Sequence, residues 1–438
     1  MKLAELNPFK TADARRFATL FAIVYFAQGM WYLPRQPITI VLKDRGLSAG
    51  QVADFFFIAT IPWLIKPLYG LISDFVPIFG YRRRSYFFLT AAGAAATALV
   101  LAATDLIKIG PISTATLPFG SAMTFTLVAG VGLYTAMGLA LAFSDVLTDA
   151  MMVETGRPRG LTGAFQSAQW ASLTLSAVLV GIAGGYLAGA RNLRLAFIAA
   201  AVFPLVSLFM VARYVKETPM PADRAAFRAT WTAITSSLGE RDVWTVAGFI
   251  LFFAFSPSFG PAFTYYQTDT LRFSQEFIGM LDSLAAVGQV VGALIFAPLS
   301  RRIPLTRVIV TVIGLSVAGS LGFLLYRGPV SAVIISILYG CFGIITLLAF
   351  LDLAAKACPR RVEATFFALL MSVYNGGTQL SENVGARLYD AIGFTPLILI
   401  SAGATALAWL IVPLVNIDRI EAKAFKDAAP VETVSAPA

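Results

Sequence analysis

Runs of about twenty apolar residues alternate along the chain with short polar or charged connectors. A helix needs roughly 20 apolar residues to cross a bilayer, whereas a barrel strand shows about ten residues of strict alternation. The pattern therefore predicts twelve membrane-spanning helices, over residues 17–42, 48–74, 85–104, 121–154, 160–188, 193–214, 243–268, 275–299, 305–326, 330–356, 361–390 and 393–415. Several exceed the span length, so they tilt, break or project beyond the bilayer. The longest polar stretch, residues 215–242, separates six spans from six. The expected architecture is an all-α integral membrane protein with an N-terminal six-helix bundle (1–214), a cytoplasmic linker (215–242), a C-terminal six-helix bundle (243–416) and a flexible cytoplasmic tail (417–438). The halves show weak internal likeness. GLISDFVP (70–77) closes the second span and APLSRRIP (297–304) the eighth, while Asp149 precedes RPRG as Asp352 precedes CPRR. Such a repeat suits two bundles that rock about one central site.

Composition agrees. Of 438 residues, 58% are hydrophobic and only 13% charged, against about 25% charged in soluble domains. The net charge of +9 does not call for a nucleic acid, because the basic residues sit in the connectors. With a cytoplasmic N-terminus, 23 of the 33 lysines and arginines fall on the inside and 7 on the outside. That bias supports an even number of spans with both termini cytoplasmic. Met1 to Arg16 is polar and basic with no cleavable leader pattern, which suits a bacterial inner membrane. A monomer is expected. Cys341 and Cys358 form neither a disulfide framework nor a metal-ligand spacing. Histidine is absent, so proton chemistry would fall to carboxylates and a hydrolytic triad lacks its ordinary base. No nucleotide loop is present. The chain reads as no enzyme, with no cofactor and no metal.

Charges within spans cost roughly 2.5–3.5 kcal/mol each on insertion scales, so those that persist pair, face water or bind something. Lys66 shares a helical face with Trp63, Pro67 and Gly70. It is either an ion-pair partner for a neighbouring helix or an anchor for an anionic substrate. Arg35 lies between Pro34 and Pro37, where prolines break the helix. It either snorkels outward or offers its planar fork to a carboxylate. Asp145 and Asp149 are one turn apart. Two such carboxylates do not readily both ionise in a low dielectric, which makes them a candidate proton-coupling device; the alternative is partnership with Lys66 or the arginine clusters. Gln166, Gln169 and Trp170 offer amides beside an aromatic face, and Asp282 and Gln289 share a face in the eighth span. Ser256, Pro257 and Pro261 should break the seventh span. Asn375, Gln379, Glu382, Asn383 and Arg387 form a polar stripe on the eleventh, where Glu382 and Arg387 are spaced poorly for a direct pair.

Gly70, Ser73 and Asp74 followed by Arg82, Arg83 and Arg84 resemble the signature loop of the major facilitator superfamily, in which an acid at a helix end pairs with basic residues to latch two bundles. The insertion FVPIF before Gly80 departs from the generic spacing. KPLYGLISDFVPIFGYRRRSY (66–86), SDVLTDAMMVETGR (144–157), SPSFGPAFTYYQTDTLRFSQEFIG (256–279) and CPRRVEATFFALLMSVYNGG (358–377) resemble the folate–biopterin transporter family within that superfamily. The resemblance implies a twelve-helix carrier of the major facilitator fold, moving folates or pterins with proton coupling. Gly70, Asp74 and Arg82–Arg84 would then be a gate latch. A pterin edge would meet Asp145 or Asp149 with Gln166, Gln169 and Trp170, and an anionic tail would meet Arg35 or Lys66. Other readings are a permease for a muropeptide, acyl conjugate or other organic anion, and a non-transporting membrane partner such as a receptor or assembly factor.

Overall fold

Prolines decide where the first helices break. In the computed structural model, the first apolar run divides into α1 (Ala12–Met30) and α2 (Arg35–Asp44), separated by a turn at residues 31–34. Pro34 cannot donate to the preceding turn, and Pro37 sits in the first turn of α2, where a missing N–H costs little. The second run gives α3 (Ala49–Leu64) and α4 (Lys66–Phe75), divided at Ile65. Ser48 and Gln51 start α3 with a reciprocal capping box, and Pro67 occupies the first turn of α4. The structure describes residues 8–109, 112–116, 122–126, 128–219, 223–299, 302–359 and 362–428. Ser300 and Arg301 of the second-half repeat, Arg360, Arg361 and the last ten residues lie outside them.

Helices α5 (Arg84–Thr104) and α6 (Leu106–Ile109) lead to an antiparallel hairpin of β1 (Ile112–Thr116) and β2 (Ala122–Thr126), then α7 (Val128–Gly156). The fourth span thus starts later than the expected residue 121, because a threonine-rich, β-prone segment pairs with a strand before it. Then come α8 (Thr162–Gly189), α9 (Leu193–Tyr214), the linker helix α10 (Arg224–Ser237), α11 (Arg241–Ala254) and the short α12 (Pro261–Tyr265). A non-helical stretch, residues 255–260, separates α11 from α12 and ends at Gly260 with φ +47°. The remainder is α13 (Gln275–Leu299), α14 (Leu305–Gly322), α15 (Pro329–Ala357), α16 (Glu363–Ile392), α17 (Phe394–Val415) and α18 (Ile417–Ala428). Among the described residues, ten helical segments are long and apolar enough to cross a membrane. The other two expected spans fall short for local reasons: α11 stops after 14 residues, and α16 carries the polar stripe.

The tail is not loose over residues 417–428. Ile417 and Ile420 are buried in the second-half core. Asp418 accepts from the Thr306 hydroxyl at 2.6 Å, Glu421 pairs with Lys356 at 2.8 Å, and Arg419 pairs with Asp242. An amphipathic helix with one apolar edge and complementary charges docks where composition alone suggested flexibility.

The two halves meet along two seams. In one, α8 lies directly on α13: a Cβ at Gly279 would come within 2.1 Å of the Gly181 carbonyl oxygen and 2.7 Å of Gly185 Cα. Ser283 Oγ donates to the Val178 carbonyl at 2.7 Å. Small residues let the backbones touch, the mode of packing open to helices in lipid. In the other seam α3 faces α16. The cross-half hydrogen bonds and ion pairs between described residues lie in the part of the molecule away from the termini.

A side chain at position 279 would therefore wedge this seam. Gly279→Leu should lengthen the distance between spin labels at Arg194 and Thr395, on opposite halves at that end, in a background lacking Cys341 and Cys358. An unchanged distance distribution would show that the glycine contact does not hold the end closed.

Candidate functional site

Lys66 begins α4 immediately after the break at Ile65, so its side chain leaves the helix axis where the backbone is already interrupted. Its Nζ lies 2.5 Å from Asp145 Oδ2 on α7 and 4.6 Å from the centroid of the Trp63 ring. One turn along α7, Asp149 Oδ1 accepts from the Tyr25 hydroxyl of α1 at 2.5 Å. The two carboxylates thus have separate partners from separate helices. Gln169 of α8 is 1% exposed; its amide makes no hydrogen bond of good geometry, and Asp149 is the polar group beside it.

Arg35 starts α2 after the first break. Its Nη2 lies 2.6 Å from Glu382 Oε2 of α16, in the other half, and its guanidinium stands 5.1 Å from the Phe56 ring centroid. Glu382 is positioned by the break in the seventh span. A Cβ at Gly260 would meet Glu382 Cβ at 2.8 Å, the Ser258 N–H donates to the Ser381 carbonyl at 3.3 Å, and Ser381 Oγ donates to the Ser256 carbonyl. Glycine is needed at 260 for both its positive φ and this approach.

Tyr32 has the charged groups of both ion pairs, Arg35, Lys66, Glu382 and Asp145, as neighbours, yet the residue is 41% exposed. Tyr339 on α15 is 48% exposed, edge-on to Phe323 at 5.1 Å, with Glu382 as a charged neighbour. Asp282 is exposed within the field of Arg35. Accessible polar groups so deep among the helices mark a solvent-accessible space between them. Irregular backbone at membrane depth is tolerated where it lines such a space.

The structure therefore brings together Arg35, Lys66, Asp145, Asp149 and Gln169. It leaves Gln166, Trp170 and Gln289 exposed and outside this network, with Trp170 40% exposed. Glu382 and Arg387 do not pair with each other, as their spacing predicted; each turns to the first half. Glu382, Tyr25, Tyr32 and Tyr339 were not singled out as binding groups. A carboxylate and three tyrosines within apolar runs were the available signal.

The arginine cluster behaves differently from a cross-bundle latch. Arg83 pairs with Asp74 at 2.5 Å and Glu154 at 2.8 Å, and donates to Ser73 Oγ at 2.7 Å. The Glu217 carboxylate accepts from the backbone N–H groups of Arg82, Arg83 and Arg84 at 2.8, 3.0 and 2.9 Å. An anion here satisfies the open donors at the start of α5. Arg84 lies over Phe88, 5.7 Å from its centroid, and Gly70 rests against Val146. All these groups belong to the first half and the start of the linker, so in this state the cluster clamps one bundle.

The end away from the termini is sealed instead. Arg387 grips Asp54 with bonds of 2.7 and 2.8 Å, and Asn383 donates to the same carboxylate at 2.7 Å. Asp390 accepts from the Ala49 and Gly50 N–H groups at 3.2 and 2.8 Å, capping α3 from the other half. Lys43 meets Asp269 at 2.7 Å, Gln36 donates to Gln275 at 3.0 Å, and the Tyr265 hydroxyl donates to the Leu47 carbonyl at 2.6 Å.

A family profile described as the BT1 family matches residues 27–412. The chain is 31% identical over 392 residues to the folate-biopterin transporter of Synechocystis, covering 85% of this chain and 74% of that one. It is 24% identical to probable folate-biopterin transporter 4 of Arabidopsis thaliana, over 89% and 91% of the two chains. Among solved structures, a D-xylose–proton symporter superposes with a TM-score of 0.67 at 13% identity, over 92% and 98%. A nucleoside transporter gives 0.69 at 11% identity, over 91% and 100%. These structural likenesses show the major facilitator fold.

Removing one member of the Asp54–Arg387 pair leaves its partner uncompensated, at a cost of up to about 3 kcal/mol, reduced by the exposure of Arg387. Asp54→Asn and Arg387→Gln should each open the sealed end and lengthen the Arg194–Thr395 label distance, and the double variant should recover part of the closure. Equal distances in all four proteins would show that this pair does not hold the gate.

Proposed function

The chain belongs to the BT1 family and is a multi-pass membrane transporter, not an enzyme; from that premise we propose that it moves folate, pterin or a similar small organic anion by alternating access, coupled to protons. The observation that carries this reading is the pair of cavity cations facing Tyr32, Lys66 and Arg35, each held by a carboxylate from another helix. The relatives' names supply the substrate class, and the chemistry suits it. An anionic tail competes with Asp145 for Lys66 and with Glu382 for Arg35. A pterin edge presents amide and amine donors that a carboxylate accepts in pairs, which assigns Asp149 and the unsatisfied amide of Gln169 to the ring. Tyr32 and Tyr339 offer faces for stacking. Gln166, Trp170, Asp282 and Gln289 are proposed as lining groups of the same cavity.

Substrate capture of Lys66 would leave Asp145 without its cation beside Asp149. A carboxylate stranded at membrane depth sheds its charge by binding a proton. Asp145 and Asp149 are therefore the proposed proton carriers, and movement of Glu382 off Arg35 links occupancy to the sealed gate. The basic connectors lie at the end bearing the termini. With that end cytoplasmic, the structure is closed to the outside, and Gly70, Asp74 and Arg82–Arg84 would serve as the inner latch in the opposite state. A monomer in a bacterial inner membrane completes the proposal.

Labelled folate and a simple pterin should accumulate in proteoliposomes when an inward proton gradient is imposed. Lys66→Ala and Arg35→Ala should lower folate uptake at least tenfold, and Asp145→Asn should keep substrate exchange while losing gradient-driven accumulation. Normal uptake by the two alanine variants at equal expression would remove Lys66 and Arg35 from the site. No uptake by folded protein, with or without the gradient, would return the search to other organic anions.

A further inference from the structure

The linker between the halves carries a feature that transport alone does not use. Helix α10 is capped by Asp223, whose side chain accepts from the Ala226 N–H at 2.9 Å. Phe227, Trp231, Ile234 and Leu238 recur at helical spacing on one face, and Arg224 and Arg228 border it. No acidic residue occurs between Asp223 and Glu240. Trp231 is 51% exposed, and Phe227 and Leu238 are also exposed. The face nevertheless touches both halves. The Phe227 ring meets Phe75, the last residue of α4, edge-on at 5.2 Å, and Ala233 and Ile234 pack on the core of the second half. Both ends of the linker are pinned where spans emerge, at Tyr214 of α9 and Arg241 of α11. Trp244, exposed in the first turns of α11, donates its indole N–H to the Leu238 carbonyl at 2.7 Å, at the level where tryptophans favour the membrane interface.

We propose that α10 is a lipid-binding helix that lies in the headgroup layer at the end bearing the termini. Arg224 and Arg228 take anionic phospholipid headgroups, and Trp231 and Leu238 enter the acyl boundary. Three observations select the bilayer as the occupant: the position between two span ends, the cationic border without acids, and Trp231 and Leu238 left open on a face otherwise seated on protein. Basic amphipathic helices of this kind bind anionic surfaces through combined apolar burial and charge. Because Phe227 rests on α4 and Ile234 on the other half, lipid engagement braces both bundles in the state with the sealed far end. The inference is independent of the substrate assignment.

The test uses the full chain in vesicles of phosphatidylcholine alone or with 30% phosphatidylglycerol. Bromine-labelled acyl chains should quench the fluorescence attributable to Trp231, taken as the difference from Trp231→Phe, more strongly when phosphatidylglycerol is present. Arg224→Gln with Arg228→Gln should abolish that difference while leaving the protein in phosphatidylcholine unchanged. Phe227→Ala should keep the quenching but lose any dependence of the Arg194–Thr395 distance on phosphatidylglycerol. Quenching of Trp231 by aqueous acrylamide and not by brominated lipid, in both vesicle types, would overturn the proposal and point to a soluble protein as the occupant.

Discussion

Everything in this molecule follows from the cost of leaving a charge or an open backbone group at membrane depth. Lys66 is held by Asp145 and the Trp63 face, Arg35 by Glu382 and the Phe56 face, and Asp54 by Arg387 and Asn383. Each pair joins different helices, and two of the three join different halves. The charges that burden insertion are therefore the same groups that fix how the bundles sit.

The seams are of a kind that can part. Between α8 and α13 the contact is glycine backbone on glycine backbone, with Ser283 and Glu276 side chains set against it. Between α3 and α16 the buried Ala386 packs on the first-half core, but the directional contacts are ion pairs and a helix cap, groups that water can satisfy when they separate. An apolar seam of similar extent would have no such replacement partner. Exchange between sealed and open states then trades one set of polar partners for another, the economy that a rocking transporter requires.

Backbone breaks and charges coincide for a related reason. The turn before Arg35, the break before Lys66 and the stretch ending at Gly260 beside Glu382 all stand on the cavity wall. A broken helix frees carbonyl and N–H groups, which are affordable only beside water or polar partners. Proline placement thus sets where the helices break, and Arg35, Lys66 and Glu382 sit at or beside those breaks.

The sequence alone determined the membrane class, the apolar runs and the positions of the proline breaks, because hydropathy and proline geometry act locally along the chain. It also pointed to Arg35, Lys66, Asp145 and Asp149 as residues needing an explanation. It misplaced the start of the fourth span, where β-prone threonines outweighed a marginal apolar pattern. It also missed the docked helix at Ile417–Ala428, whose partners lie elsewhere in the chain. Only the tertiary structure decided who pairs with whom. Lys66 meets Asp145 across 79 positions, Arg387 meets Asp54 across 333 and Arg35 meets Glu382 across 347. Several carboxylates could have served each cation on charge alone. The choice depends on helix rotation, depth and the angle of each break, which are properties of packing and leave no period in the sequence.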